Sequence, residues 1–319
     1  MSFPNNYLIF AKLYKMLKIK NMKNSKWIVM LATAMMMVMA ASCGEKPVVI
    51  PDDEVPPHVT PPEPPVDVKP SYDKGEGVIR LLSYNVGAFN KYTNSIDMIA
   101  KMIKELDADI VGLNEVDSCT TRTGRVNQAK KLAERLGDWT PVLATMHPYK
   151  DGGYGNAIVM SPDFKLTGKK KMELPKVSSS HETRSCAIAK NDKFVFMATH
   201  LEVNSEKARI QGAQTITEWA VEQYGNSDVP VFLCGDMNCE PNDAPIVELK
   251  KNWTMLSVAD NTYPSSPSKP ATKCIDFIFI LKNKAQYEFV KSEVPTKFEN
   301  GSVTEASDHL PIYVDVKLK

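Results

Sequence analysis

The sequence predicts an α/β fold: a four-layer sandwich in which two mixed β-sheets pack face to face, with helices on both outer sides. Three observations carry this reading. Short apolar runs rich in β-branched and aromatic residues recur along the chain, each bounded by turn residues. Helical patterns alternate with these runs instead of forming a separate block. The chain has 319 residues, 43% hydrophobic and 8% aromatic, which is enough apolar material for a large core.

The chain opens on an address rather than a fold. Residues 1–42 carry six lysines and no acid. Lys23 and Lys26 precede an almost purely apolar run from Trp27 to Ala41, and Ala40, Ala41 and Ser42 are small residues ahead of Cys43. That is the layout of a secretory signal. The cysteine at the cleavage point makes it similar to a bacterial lipoprotein signal, in which the Cys is lipidated and becomes the new N-terminus. Residues 1–42 are therefore read as a signal segment with Met22 as its start. Cys43 is read as the lipidation site, anchoring the protein in the bacterial cell envelope on a periplasmic or extracellular face. The competing reading is a transmembrane anchor, for which the apolar run falls short of the ~20 residues a span needs.

Residues 43–76 read as a proline-rich acidic stalk. Nine prolines lie between Pro47 and Pro70, among Asp52, Asp53, Glu54, Glu63 and Asp67. Proline fixes φ and removes a donor, so an extended spacer is expected rather than helix or sheet.

Residues 77–319 read as one catalytic domain with no second linker and no internal repeat. Its expected strands are Val78–Val86, Asp109–Leu113, Ala157–Met160, Ser185–Ala189, Phe194–Thr199, Val231–Cys234, Ile275–Leu281 and Leu310–Val316. Helical spacing joins Ile96, Ile99, Met102, Ile103 and Leu106, then Leu132, Ala133 and Leu136. It appears again in Ile210, Ala213, Ile216 and Ala220, a helix that Asn204 or Ser205 would cap. Lys169–Lys171 reads as a solvated hairpin tip. Five cysteines remain beyond Cys43, an odd number without a Cys-x-x-Cys, so free thiols are expected. A Cys239–Cys274 pair is the alternative. Residues 75–319 carry 30 basic and 31 acidic side chains, a balance that argues against coating nucleic acid by bulk charge.

The strand ends carry the chemistry. The apolar runs deliver Asn85, Glu115, His200, Asp236, Asn238 and Asp276, and Asp308 and His309 precede the last run. Any one of these would pass as a turn residue or cap. Taken together they are four carboxylates, two histidines and two asparagines, without Lys or Arg, where turns favour Gly, Pro and Ser. That set suits a hard divalent cation held by oxygen, together with proton transfer.

Ser83-Tyr84-Asn85, Leu113-Asn114-Glu115-Val116, Thr199-His200-Leu201, Gly235-Asp236-Met237-Asn238, Ile275-Asp276-Phe277-Ile278 and Ser307-Asp308-His309 occur in that order. The series resembles the motifs of the endonuclease/exonuclease/phosphatase family, the DNase I-like phosphoesterases, and spans essentially all of residues 77–319. The resemblance implies a hydrolase of phosphate esters using Mg²⁺, with Mn²⁺ able to substitute, as one or two ions. Glu115 would be the principal metal ligand, with Asn85 beside it and Asp308 as ligand or close neighbour. Asp236 would orient or deprotonate water, Asn238 would hold the phosphoryl group, and His200 would donate to a phosphate oxygen. His309 would act as acid or base, with Asp276 fixing its ring. Tyr154, Asn156 and Arg184 are the candidate substrate contacts.

The expected substrate is a phosphorylated small molecule, a lipid head group or nucleic acid, acted on by a monomer. An exported nuclease is the second enzyme reading. The reading from another class is a catalytically inactive binding protein of the same fold, against which the intact polar set speaks.

Overall fold

The computed structural model describes residues 71–319, apart from Lys150 and His181. The signal segment, Cys43 and the stalk as far as Pro70 lie outside the described residues. Tyr72 and Lys74, just ahead of residue 77, already pack onto the domain. The Tyr72 ring lies 5.5 Å from that of Phe298, and Lys74 pairs with Asp109 at 2.7 Å.

In chain order the strands are β1 (Ile79–Asn85), β2 (Ile110–Ser118), β3 (Thr140–Tyr149), β4 (Gly152–Met160), β5 (Leu166–Glu173), β6 (Ser185–Asn191), β7 (Val195–His200), β8 (Val231–Asp236), β9 (Trp253–Met255), β10 (Asp276–Leu281), β11 (Tyr287–Glu293) and β12 (Ile312–Leu318). The α-helices among the described residues are α1 (Ile96–Glu105), α2 (Gln128–Leu136), α3 (Glu206–Tyr224), α4 (Ala244–Lys250) and α5 (Val303–Ala306).

One six-stranded sheet runs β11-β12-β1-β2-β4-β3 and the other β5-β6-β7-β8-β10-β9. Both are mixed, because β1 pairs with β2 and β7 with β8 in parallel while the remaining pairs are antiparallel. Strand alternation builds the layers. On β8, Phe232 and Cys234 face the core between the sheets, while Val231 and Leu233 face the outer core. Ala213, Ile216 and Ala220 of α3 and Ile246 and Leu249 of α4 cover that outer face. On β1, Leu81 points between the sheets and Leu82 outward, beneath Ile99 and Ile103 of α1 and Leu132 of α2. The sheets come so close that a Cβ at Gly112 on β2 would lie 2.2 Å from Cys234 Sγ on β8. The predicted four-layer α/β sandwich is the observed one.

Four strands escape the sequence reading: β3, β5, β9 and β11. They are the four sheet edges. An edge strand needs no apolar face on both sides, so it carries no apolar run. Lys169–Lys171 lies on β5, not at a hairpin tip, and charge on an edge strand discourages pairing with another chain.

Helix α3 carries the chain from the end of β7 to β8. Ser205 caps it, its Oγ accepting from Ala208 N at 3.3 Å. Ser205→Ala is expected to cost about 0.5–2 kcal/mol, read as a lowered urea midpoint at unchanged slope.

Candidate active site

Register places the polar strand ends side by side. On β8, Asp236 is paired with His200 of β7 on one side and with Asp276 of β10 on the other. In the facing sheet, Asn85 of β1 is paired with Asn114 of β2. Asn85 Nδ2 then bridges the sheets, donating to Glu115 Oε1 at 3.2 Å and to Asp236 Oδ2 at 3.1 Å.

Two candidate residues occupy the left-handed backbone region, which non-glycine residues seldom adopt. Glu115 has φ 58° and Asn238 φ 50°. Glu115 also lies where the β2–β4 register shifts, between Leu113 and Val116. A bulge re-aims a side chain, and here it turns the Glu115 carboxylate into the cavity that it lines. After β1 the chain makes a tight turn with three successive left-handed residues, Gly87, Ala88 and Phe89. That turn brings Lys91 to Asp308, its Nζ 2.5 Å from Asp308 Oδ2.

The Ser307-Asp308-His309 segment is bound to the end of β1 by Ser307 Oγ, which donates to Asn85 O at 2.7 Å. His309 Nδ1 donates to Asp276 Oδ2 at 2.8 Å, and its Nε2 lies 3.6 Å from Asp236 Oδ2. Asp276 is fully buried, and its Oδ2 also accepts from Thr262 Oγ1 at 2.6 Å. Its Oδ1 has no hydrogen-bond partner. Tyr263 covers the His309 ring at 4.6 Å between centroids.

The two histidines are driven apart. Burial lowers the basicity of both. For His309 the charges of Asp276 and Asp236 and the hydrogen bond to Asp276 outweigh burial and raise it to about 9. His200 has no such compensation; burial, then the charges of Arg184 and His309, hold it well below the usual histidine value. Burial pushes Asp236 up to about 7. At neutral pH the site therefore holds a cationic His309, a neutral His200, and between them a carboxyl group poised to exchange a proton.

Three of the candidate residues make hydrogen bonds that run into the protein. Asn238 Nδ2 donates to Leu201 O at 3.0 Å and to His200 Nε2 at 2.8 Å, so both amide hydrogens are spent inside the protein. Asn238 thus ties the turn after β8 to His200 and to the end of β7. His200 Nε2 also lies 3.3 Å from Asp236 Oδ2. Asn156 is 2% exposed and lies beneath the large cavity, accepting from Asn114 Nδ2 at 2.8 Å and donating to Ser185 O at 2.7 Å. Its side chain thus links the Asn114 amide to the start of β6.

Tyr154 and Arg184 do line the cavity, together with Glu115, His200, Asp236, Asn238, Asp308 and His309. The cavity measures about 610 Å³, the size of a small-molecule site. Arg184 sits between Glu182 at 3.5 Å and Glu202 at 3.7 Å. Cys239 and Cys274 are free thiols, which burial pushes up to about 12. Asn114, part of the motif series but outside the candidate set, is the central clamp. Its Oδ1 accepts from Asp236 N at 2.9 Å and its Nδ2 donates across to Thr199 O at 2.8 Å. The available signal was an amide at the end of a fully apolar strand, where an unpaired polar group is costly.

The sequence model of the endonuclease/exonuclease/phosphatase family matches residues 82–309. No curated protein matches the chain. Among solved structures, an endonuclease/exonuclease/phosphatase from Bacteroides vulgatus is 22% identical with a TM-score of 0.62, covering 76% of this chain and 99% of its own. A mannosyl-6-phosphatase from Bacteroides thetaiotaomicron is 21% identical with a TM-score of 0.58, covering 75% and 99%. TDP2 from D. rerio, complexed with single-strand DNA product, is 16% identical with a TM-score of 0.58, covering 76% and 99%. At these identities the likeness is one of fold. The family match reaches from Leu82 to His309 and takes in every motif at the cavity, and the chain belongs to the endonuclease/exonuclease/phosphatase family, whose members act on phosphate esters and typically employ a divalent metal.

Proposed function

We propose that the protein is a metal-dependent phosphoesterase, tethered through lipid on Cys43 to the bacterial envelope by the proline-rich stalk that ends ahead of Tyr72. The observation that carries the catalytic reading is the clustering of Asp236, His309 and Asp276 in hydrogen-bond or near-contact geometry at the floor of a cavity that Glu115 and Asp308 also line.

Two features of the site fit a cation. Glu115 and Asp308 supply hard oxygen donors, with Asn85 beside them. The Lys91 ammonium against Asp308 shows that this carboxylate already attracts positive charge. Asp236, Asp276 and His309 also offer donor atoms within 4.8 Å of one another. There, however, His309 Nδ1 is committed to Asp276, which makes the trio a proton relay first. A bound Mg²⁺ or Mn²⁺, as one ion or two, would neutralise charge developing on the phosphoryl and leaving oxygens.

The chain's own groups do the rest. Asp236, raised toward neutrality, accepts the proton of the attacking water. His309, held cationic by Asp276, presents Nε2–H to a phosphoryl or leaving oxygen. Arg184 supplies a fixed positive charge on the cavity wall. Glu182, Glu240 and Asp243 on the same lining would repel the flanking phosphates of a polynucleotide, which favours a small phosphate ester or a lipid head group.

The test is turnover of p-nitrophenyl phosphate, bis(p-nitrophenyl) phosphate, sugar phosphates and an oligonucleotide. Mg²⁺ or Mn²⁺ should support hydrolysis of a small ester, and EDTA should abolish it until metal is restored. Turnover that survives EDTA would overturn metal dependence. Metal binding without any turnover would favour the inactive binding protein.

A further inference from the structure

Lys91 has no place in the motif series, yet it reaches the same carboxylate as the proposed cation. The left-handed turn at Gly87–Phe89 directs it. A Cβ at Gly87 would lie 3.2 Å from Lys91 Cβ and 3.5 Å from Asp308 Oδ1, so the turn brings the lysine stem and the carboxylate to one spot. The next residue fastens the loop: Tyr92 Oη donates to Ser265 O at 2.9 Å, and Ser265 N donates to Asp308 O at 2.7 Å. The Lys91 side chain is 47% exposed while that of Asp308 is 11% exposed. The ammonium thus reaches inward from solvent on a half-exposed stem toward a carboxylate that is nearly buried.

Glu115 is the other carboxylate acting on this ammonium. The two acids that the proposed function assigns to a divalent ion thus both act on one positive charge, Asp308 by direct contact and Glu115 through its field. An ammonium is a compact point charge with three donors, and a hard cation needs the same oxygen atoms at shorter range.

We propose that Lys91 is the exchangeable counter-ion of the metal centre. Its ammonium neutralises Asp308 in the metal-free protein, leaves that carboxylate when a divalent cation takes it, and then meets the phosphate of the bound ester. The proposal rests on the reading of Glu115 and Asp308 as metal ligands. It adds a residue that couples metal loading to phosphate binding.

Calorimetric titration with Mn²⁺, without substrate, reads the first half. Lys91→Gln is expected to tighten Mn²⁺ binding about two- to fivefold, the span of an exposed ion pair. Lys273→Gln removes a charge from the same cavity lining but from no described ion pair, and should leave Mn²⁺ binding unchanged. Titration of the Mn²⁺-loaded protein with inorganic phosphate reads the second half, and Lys91→Gln should weaken phosphate about tenfold. Thermal unfolding of both variants verifies that they fold. If both variants shift Mn²⁺ affinity equally, general electrostatics suffices and the exchange is wrong. Unaltered phosphate binding in Lys91→Gln would likewise overturn it. If the wild-type protein fails to bind Mn²⁺ at all, the metal-dependent reading falls and the exchange with it.

Discussion

Asp236→Asn is expected to lower kcat/KM on a small phosphate ester about 10²–10⁴-fold while the protein stays folded, the range for loss of a general base. The substitution keeps the shape of the side chain, and Asn Oδ1 can still accept from Asn238 N, as Asp236 Oδ1 does at 2.8 Å. What it removes is the group that takes the proton, together with the Oδ2 that accepts from Asn85 Nδ2 at 3.1 Å. The same substitution leaves a signature in stability that a purely structural role would not. Burial raises Asp236 in the folded protein to about 7, above its unfolded value near 4. Folding therefore favours its protonated form, and the cost of ionising it is absent below about pH 4 and complete above about pH 7. The metal-free wild type should lose thermal stability across that window, and Asp236→Asn should lose less.

His309 acts in a second window. Its value is raised to about 9, so its stabilising charge is complete below about pH 6.5 and is lost as pH rises through 9. With one of its two carboxylate neighbours gone, that loss should still begin near pH 6.5 but be smaller and complete at lower pH in the variant. Equal pH–stability curves in the two proteins would show that Asp236 is not held near neutrality, whatever happened to turnover.

The sequence was legible where burial and chemistry both left marks. The eight central strands, each covered on both faces, announce themselves as apolar runs. Of the edge strands, β5 and β11 do not, because they are largely solvent-facing, and β9 does not, because it has only three residues. Polar residues at the ends of buried strands were equally visible, and the register of β7, β8 and β10 sets His200, Asp236 and Asp276 side by side. What sequence could not show is which atom of each side chain is already spent. Asn156, Asn238 and His200 look like ligand contacts by type, but their hydrogen bonds run inward. Conversely, Thr262 and Asn114 look like ordinary strand or loop residues, while each holds a catalytic candidate in place. Lys91 was invisible for a different reason: it reaches Asp308 only because three consecutive residues adopt left-handed backbone, a conformation that composition does not announce for Ala88 and Phe89.

Gly235→Ala is expected to cost most of the domain's stability, about 4–5 kcal/mol or more, seen as loss of soluble protein or a fall in Tm of about 10 °C or more. Gly235 has φ 140°, a region closed to other residues, and a Cβ there would lie 1.8 Å from Thr199 O. The obstacle is backbone, so no side-chain rotation relieves it. Thr199 is the parallel partner of Gly235, and its carbonyl also accepts from Asn114 Nδ2 at 2.8 Å, which fixes it from the other sheet. The strand pair cannot open at this point without also parting His200 from Asp236 in the next register position. Gly124→Ala separates clash from backbone preference. Gly124 has φ 72° with nothing within 4 Å of the added Cβ, so only the left-handed penalty of about 1–2 kcal/mol applies. A large difference between the two variants locates the requirement in the close approach of β7 and β8, the same approach that sets His200 beside Asp236. Small and equal shifts would mean that β8 does not lie against β7 as described, and the catalytic floor would lose its foundation.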